Sequence, residues 1–190
     1  MLRTAFKEWA AVCRALALGR QAIILRKGGI AEAGGSFEPE HNRFWLYPTY
    51  VHQQQGGLKA DAAQLVHADE AERPPAGILR LSHLAEVKAI YCVEKLFGAL
   101  LLDDLHCWSE ETVRQRFAYR TPGIYVLAVR VYTLPHAHEL PERADFAGCR
   151  TWVDLGRDLP TERARPVLND TQFDDVLLSL SRRLNPTALA

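Results

Sequence analysis

The run IYVLAVRVYTL, residues 124–134, constrains the fold most. Apolar and β-branched residues fill nearly every position, the pattern of a central strand covered on both faces rather than one. The chain therefore has to build a sheet with apolar layers around it. Pro135 is expected to end this strand, because proline cannot donate to a β-ladder. With 190 residues, 48% of them hydrophobic, the chain is large enough to bury a core of that kind. We read it as a single domain over 1–190, with a core at about 3–156 and a C-terminal helical appendage at about 168–185.

Other segments fill in the architecture. Leu2, Phe6, Trp9, Cys13 and Leu16 recur at helical spacing and Gly19 stands where a left-handed cap would close the element, so the pattern predicts an amphipathic helix over 3–18. RQAIILRKGGI gives a short strand stopped by Gly28 and Gly29, and NRFWLYPTY a second strand ended by Pro48; the two could pair as a hairpin. LKADAAQLVHADEAERPPAG reads as a short helix broken by Pro74 and Pro75, followed by a linker. HLAEVKAIYCVEK alternates with period two, and LFGALLLDDL is a compact apolar turn or helix. Ser109 can cap EETVRQRFAYR, with Glu110 and Glu111 in the first turn. CRTWVDL is a further strand, and DTQFDDVLLSLSRRL a closing helix with Phe173, Val176, Leu177, Leu180 and Leu184 on one face. Helices and strands in this irregular order predict an α+β fold rather than a doubly wound sheet.

Charge narrows the functional classes. Lys+Arg and Asp+Glu are both 23, so there is no global positive field, and binding to DNA or RNA would need a local basic patch. Cys13, Cys92, Cys107 and Cys149 are scattered, without the spacing of a zinc knuckle or a redox Cys-x-x-Cys. They read as small core residues in a reducing compartment, and a cytoplasmic location is expected. The first 19 residues carry Arg3, Lys7, Glu8 and Arg14 in place of a signal peptide's apolar run. No window approaches the apolar length of a membrane span, so no membrane partner is expected.

Motifs exclude more than they assign. There is no Gly-x-Ser-x-Gly, no phosphate-binding glycine-lysine loop and no dinucleotide fingerprint. Glu40, His41 and His52 are metal-ligand types but lack a spacing that aims them at one ion. His136 and His138 have strand spacing, with Glu139 following, yet Pro135 and Pro141 place them in a loop. No metal and no cofactor are expected on these grounds. Glu86-Val87-Lys88 matches the Glu-x-Lys half of the metal-dependent nuclease signature, in which acids hold Mg²⁺ and the lysine activates water or stabilises charge. Its upstream acid would be Asp69, Glu70 or Glu72. With 13 Glu and 5 Lys in the chain, about 0.3 such matches arise by chance, and a solvated strand face explains the pair as simply.

A binding surface is the remaining class. Arg26 and Lys27 beside a glycine turn, then His41, Tyr47, Tyr50, His52 and Gln53, combine cations, aromatic faces and amides, the mixture that holds phosphates and stacks bases. HCWSEETVRQRFAYR adds His106, Trp108 and Arg116. Core packing of Trp108 and Phe117 is the competing explanation.

The words FKEWAAVCRAL, QAIILRKGGI, RFWLYPTYVHQ, HCWSEETVRQRF, IYVLAVRVYTL and GCRTWVDL, in this order over about residues 5–156, resemble the bacterial domain-of-unknown-function family eighteen-oh-two. That resemblance implies an association with restriction–modification contexts and assigns no catalytic residue. GRQAIILRKGGI with the later strands is also loosely similar to PUA-like and ASCH-type barrels, small β-rich modules that bind RNA or modified bases. The expectation is thus an α+β domain with a mixed or barrel-like sheet flanked by N- and C-terminal helices, serving as a nucleic-acid-associated binding module centred on the Arg26/Lys27 turn, the Tyr47–Gln53 loop and the His106/Trp108 segment. The alternatives are a Mg²⁺-dependent nuclease using Glu86 and Lys88, and an interaction or structural domain, which would act as a homodimer or offer a partner-binding face through the apolar C-terminal helix.

Overall fold

Adjacent residues of the central strands turn to two different apolar layers. Phe44 and Leu46 enter one cluster and Trp45 and Tyr47 the other, and Ala5 and Phe6 divide in the same way. The computed structural model describes residues 1–27, 32–33, 36–37, 41–50, 55–148 and 150–184. In chain order the elements are β1 (Leu2–Trp9), α1 (Ala10–Ala17), β2 (Ile23–Arg26), β3 (Glu32–Ala33), β4 (Ser36–Phe37), β5 (Arg43–Thr49), α2 (Ala63–Ala71), β6 (Ile78–Val93), α3 (Leu96–Leu100), α4 (Glu110–Ala118), β7 (Ile124–Pro141), β8 (Trp152–Leu159), β9 (Arg165–Pro166) and α5 (Asp170–Leu184). The fold is α+β, as expected.

Seven strands form one mixed sheet in the order β2-β7-β6-β5-β1-β8, with β9 paired to β7. β1 runs parallel to β5 and the other pairs are antiparallel. One core cluster joins α1, α4 and Leu180 of α5 to the sheet. The other contains no helical residue apart from Phe146 of a single 3₁₀ turn, and is enclosed by β1, β5, β6, β7 and β8. An apolar layer enclosed by strands requires the sheet to curl back on itself. Accordingly Arg26, at the end of β2, donates to the Thr151 hydroxyl at 2.6 Å, immediately before β8. The two extremes of the strand order meet there through side chains, giving the barrel-like closure.

Several local expectations are corrected. Residues 2–9 are a strand, and the helix begins only at Ala10; Gly19 does adopt the left-handed conformation, with φ of 66°. β2 and β5 do not form a hairpin: β2 pairs with β7, and β5 lies between β1 and β6. Pro48 lies within β5 and Pro135 within β7. Pro135 is tolerated because the β6–β7 register jumps from Leu81↔His138 to His83↔Thr133, and the bulge asks no ladder bond of it. His136 and His138 consequently lie on a strand rather than in a loop. Cys13 and Cys107 are buried but Cys92 is exposed, and Cys149 lies outside the described residues. The Ser109 cap forms as read, its hydroxyl accepting from the Thr112 N–H at 3.3 Å. Among the described residues no helix is long and apolar enough to cross a membrane.

Candidate functional site

The place where the curled sheet closes is also where it leaves a cleft of about 650 Å³. Its inner wall comes from the end of β1, the ends of β2 and β5, and the segment around Thr151; Lys7, Trp9, Arg26, Tyr47, Thr49 and Thr151 line it. Its outer wall is the segment Arg73 to Ala76 with Arg80 of β6, facing Glu142, Phe146 and Arg150. The proline pair read as a linker is therefore a rigid wall, with both rings fixing the backbone direction.

Charge is unevenly distributed in this cleft. Among the described residues Lys7, Arg26, Arg73, Arg80 and Arg150 line it, against the single carboxylate of Glu142. Glu142 accepts a 2.7 Å hydrogen bond from the Tyr47 hydroxyl. Burial, followed by this carboxylate, pushes the Tyr47 phenol well above its ordinary value, so it remains a donor. Lys7 donates to the carbonyls of Phe146 and Gly148, tying the 146–148 segment to β1. Arg73 lies over the Tyr50 ring at 4.6 Å, a cation–π pair at the outer edge.

Beneath the cleft sits a buried polar cluster. Glu8 is only 3% exposed. One of its oxygens accepts from the Trp9 N–H at 2.9 Å and the other faces an Arg26 nitrogen at 3.5 Å. Arg26 also stacks over the Phe6 ring at 4.8 Å, and its Nε is buried without an acceptor among the described residues. Glu8 was not among the residues singled out from sequence. A lone glutamate in an apparently helical segment carries no signal until the segment proves to be a buried strand.

The residues expected to form a site separate into three groups. Arg26, Tyr47 and Tyr50 are brought together in the cleft. Tyr47, however, is 3% exposed and packs edge-on to Phe146, so its ring is no stacking platform. His52 and Gln53 lie outside the described residues. Lys27, His41, His106, Trp108 and Arg116 are elsewhere. Lys27 donates to the carbonyls of Phe117, Thr121 and Gly123, where it closes the C-terminal end of α4. His41 packs edge-on to Trp152 at 5.2 Å. Trp108 is 1% exposed. It is held edge-on to Trp9 at 4.7 Å and stacked by Arg116 at 3.6 Å, while Arg116 donates to the Leu25 carbonyl. The core explanation of Trp108 and Phe117 thus prevails. His106 is buried, its Nδ1 accepting from the Trp108 N–H, and burial lowers its pKa to about 4, so the ring is neutral. Burial also pushes the Cys107 thiol up to about 12, which removes it as a nucleophile.

Among the described side chains the nuclease constellation is not gathered; those of Asp69 and Glu70 lie outside them. Glu86 accepts from Lys88 at 2.6 Å and from the Tyr132 hydroxyl at 3.2 Å. Partial burial raises the Glu86 carboxyl, but these bonds more than reverse that and hold it below its ordinary value. Glu72 is bound bidentately by Arg14 on α1. Among the described residues no three His, Cys, Asp or Glu side chains are grouped to hold a metal ion. The cleft's further contributors Lys7, Trp9, Arg73, Arg80, Glu142 and Arg150 carry no joint signal in the sequence because they come from three distant stretches, 7–9, 73–80 and 142–150, that only the curl of the sheet unites.

A family model described as "Domain of unknown function (DUF1802)" matches residues 5–177, and the chain belongs to that family. No curated protein matches the chain. Among solved structures it is similar to the ASCH protein of Zymomonas mobilis, with 13% identity, a TM-score of 0.49, and coverage of 92% of this chain and 93% of that one. A single-substitution variant of that protein gives 13% identity, a TM-score of 0.45, and coverage of 93% and 96%.

Proposed function

We propose that this chain, a member of the DUF1802 family, is a nucleic-acid-binding module that draws one nucleotide unit of a single strand into the cleft at the sheet closure. The observation that carries the reading is the composition of that cleft: five cations against one carboxylate, with Tyr50 and Trp9 among its aromatic lining. A volume of about 650 Å³ suits a nucleotide-sized group. Cations at the rim attract the phosphate backbone, while aromatic faces accept bases that are not already stacked in a duplex, hence the preference for a single strand. A neutral chain with such a local patch binds through that patch alone, which suits a cytoplasmic partner of restriction–modification or related nucleic-acid systems.

The test is fluorescence anisotropy of labelled single-stranded and duplex RNA and DNA against increasing salt. Single strands should bind more tightly than duplexes. The logarithm of affinity should fall with the logarithm of salt with a slope of about −0.7 per phosphate contacted. Replacing the rim residues Arg73 and Arg150 together by glutamate should weaken binding at least ~10-fold, about 1.4 kcal/mol, because each change turns a cation into an anion facing a polyanion. Absence of saturable binding by every oligonucleotide at low salt would end this reading.

A further inference from the structure

We infer that Arg26 is the seat of a phosphate group, so that the cleft takes its nucleotide phosphate-first, with the sugar and base held nearer the rim. The inference rests on the nucleic-acid reading above and adds to it an orientation and a specific anion site.

The argument begins with the charges beneath the cleft. Arg26 lies 3.5 Å from Glu8, the one buried carboxylate among the described residues, and the charge of Glu8 also reaches Arg116. Arg116 forms no ion pair among the described residues; it is stacked on Trp108 and donates to a backbone carbonyl. Burial holds its guanidinium below its ordinary value, with Glu8 favouring and Arg26 disfavouring the charged form. Two guanidinium groups therefore feel the field of one carboxylate in a region of low dielectric, and only Arg26 is within reach of it. That carboxylate is further divided, since one of its oxygens serves the Trp9 N–H. Such a cluster lacks one negative charge.

Hydrogen bonding identifies where the missing charge belongs. A guanidinium offers five N–H donors in a planar fork. Arg26 uses one nitrogen on the uncharged Thr151 hydroxyl at 2.6 Å and another on Glu8 at the long distance of 3.5 Å. Its Nε–H is buried with no acceptor among the described residues. Leaving a charged donor unsatisfied costs more than leaving a neutral one. Arg26 and Thr151 both line the cleft, so an entering group reaches both. A phosphodiester brings the single negative charge the cluster lacks, together with oxygens that match the guanidinium fork. The other cleft cations do not meet this description: Lys7 is engaged with the carbonyls of Phe146 and Gly148, Arg80 pairs with Glu139, Arg73 is exposed and lies over the Tyr50 ring, and Arg150 is exposed.

Isothermal titration with uridine, uridine 5′-monophosphate, inorganic phosphate and acetate, on the full chain, tests the assignment. The monophosphate should bind at least ~10-fold more tightly than the nucleoside, one charge-assisted pair's worth. Phosphate should compete with it, and acetate should not at equal concentration. Arg26→Gln should abolish the preference for the monophosphate. Arg26→Lys keeps a cation for Glu8 and so guards against misfolding, while losing the planar fork, and should reduce the preference severalfold. Equal affinity for uridine and its monophosphate in the wild type, competition by acetate as effective as by phosphate, or an Arg26→Lys protein with the full preference would each overturn the inference. The two readings fail separately: oligonucleotide binding that is indifferent to Arg26 leaves the module and removes the seat. A phosphate-selective site in a protein that binds no oligonucleotide does the reverse.

Discussion

Two parts of the molecule carry a glutamate beside a cation, and they behave oppositely. On β6, Glu86 and Lys88 are 33% and 36% exposed, bond directly at 2.6 Å and cancel one another. Under the cleft, Glu8 is 2% exposed at its side chain, its ion pair with Arg26 is stretched to 3.5 Å, and its charge also acts on the buried Arg116. In sequence, Glu86-x-Lys88 resembles a motif while Glu8 and Arg26 lie 18 residues apart and resemble nothing. The comparison teaches that burial and incomplete compensation mark a candidate site better than a familiar spacing does. A solvated pair holds little free energy, whereas a buried, unbalanced cluster has to be stabilised by its surroundings and gains from a ligand of the right charge.

The sharpest way to break this contrast is to neutralise Glu8. Glu8→Gln leaves two guanidinium groups beside each other without a buried carboxylate, and should cost about 3 kcal/mol. For a chain of 190 residues that corresponds to a fall in Tm of roughly 6–12 °C. A melting curve unchanged from wild type would mean that the cluster is as well solvated as the β6 face, and the distinction would collapse.

A separable effect, of similar full size but spread over a range of pH, comes from a buried group that avoids charge altogether. His106 has its pKa lowered from 6.5 to about 4, first by burial and then by Lys59. Between those values the unfolded chain binds more protons than the folded one, so stability is complete above about pH 6.5 and declines as the pH falls towards 4. The loss amounts to about 3 kcal/mol once both forms are protonated, spread over the whole window. Urea denaturation at pH 7, 5.5 and 4.5 measures it. His106→Gln should flatten the part of the curve due to this ring, and an unflattened curve would transfer the effect to other groups, such as the partly buried His83, whose pKa is also lowered by burial.

The smallest effect is expected on β6. Glu86→Ala and Lys88→Ala should each shift stability by no more than about 1 kcal/mol and leave oligonucleotide affinity where it was. A tenfold loss of binding from either would move the candidate site to that face.

What the sequence disclosed follows from the same physics. The strand at 124–134 was legible because a strand covered on both faces has to be apolar throughout, and the α4 cap because Ser109 and its acidic first turn act locally. Residues 2–9 were read as helix because Leu2, Phe6, Trp9 and Cys13 fall at helical intervals. In the fold, Ala5 and Phe6 face different cores, so β1 has no polar face to produce an alternation. Tertiary placement overrode the local pattern there. Arg26, Tyr47 and Tyr50 were identified as a group from their chemistry, and they do share the cleft. Lys27, Trp108 and Arg116 have the same chemistry, but the carbonyls and rings they meet come from segments far away in sequence, and these contacts decide whether a cation is engaged internally or faces a ligand.

The closure of the sheet has a mechanical consequence. Between β2 and the start of β8 there is a clasp of side chains, Arg26 on Thr151 and on Glu8, in place of a ladder. A ladder distributes load over many bonds, whereas a clasp concentrates it on two or three. The width of the cleft is thus set by the contacts of one guanidinium, and an anion held at Arg26 becomes a structural member of the barrel, a keystone that fastens the two edges of the sheet it has come between.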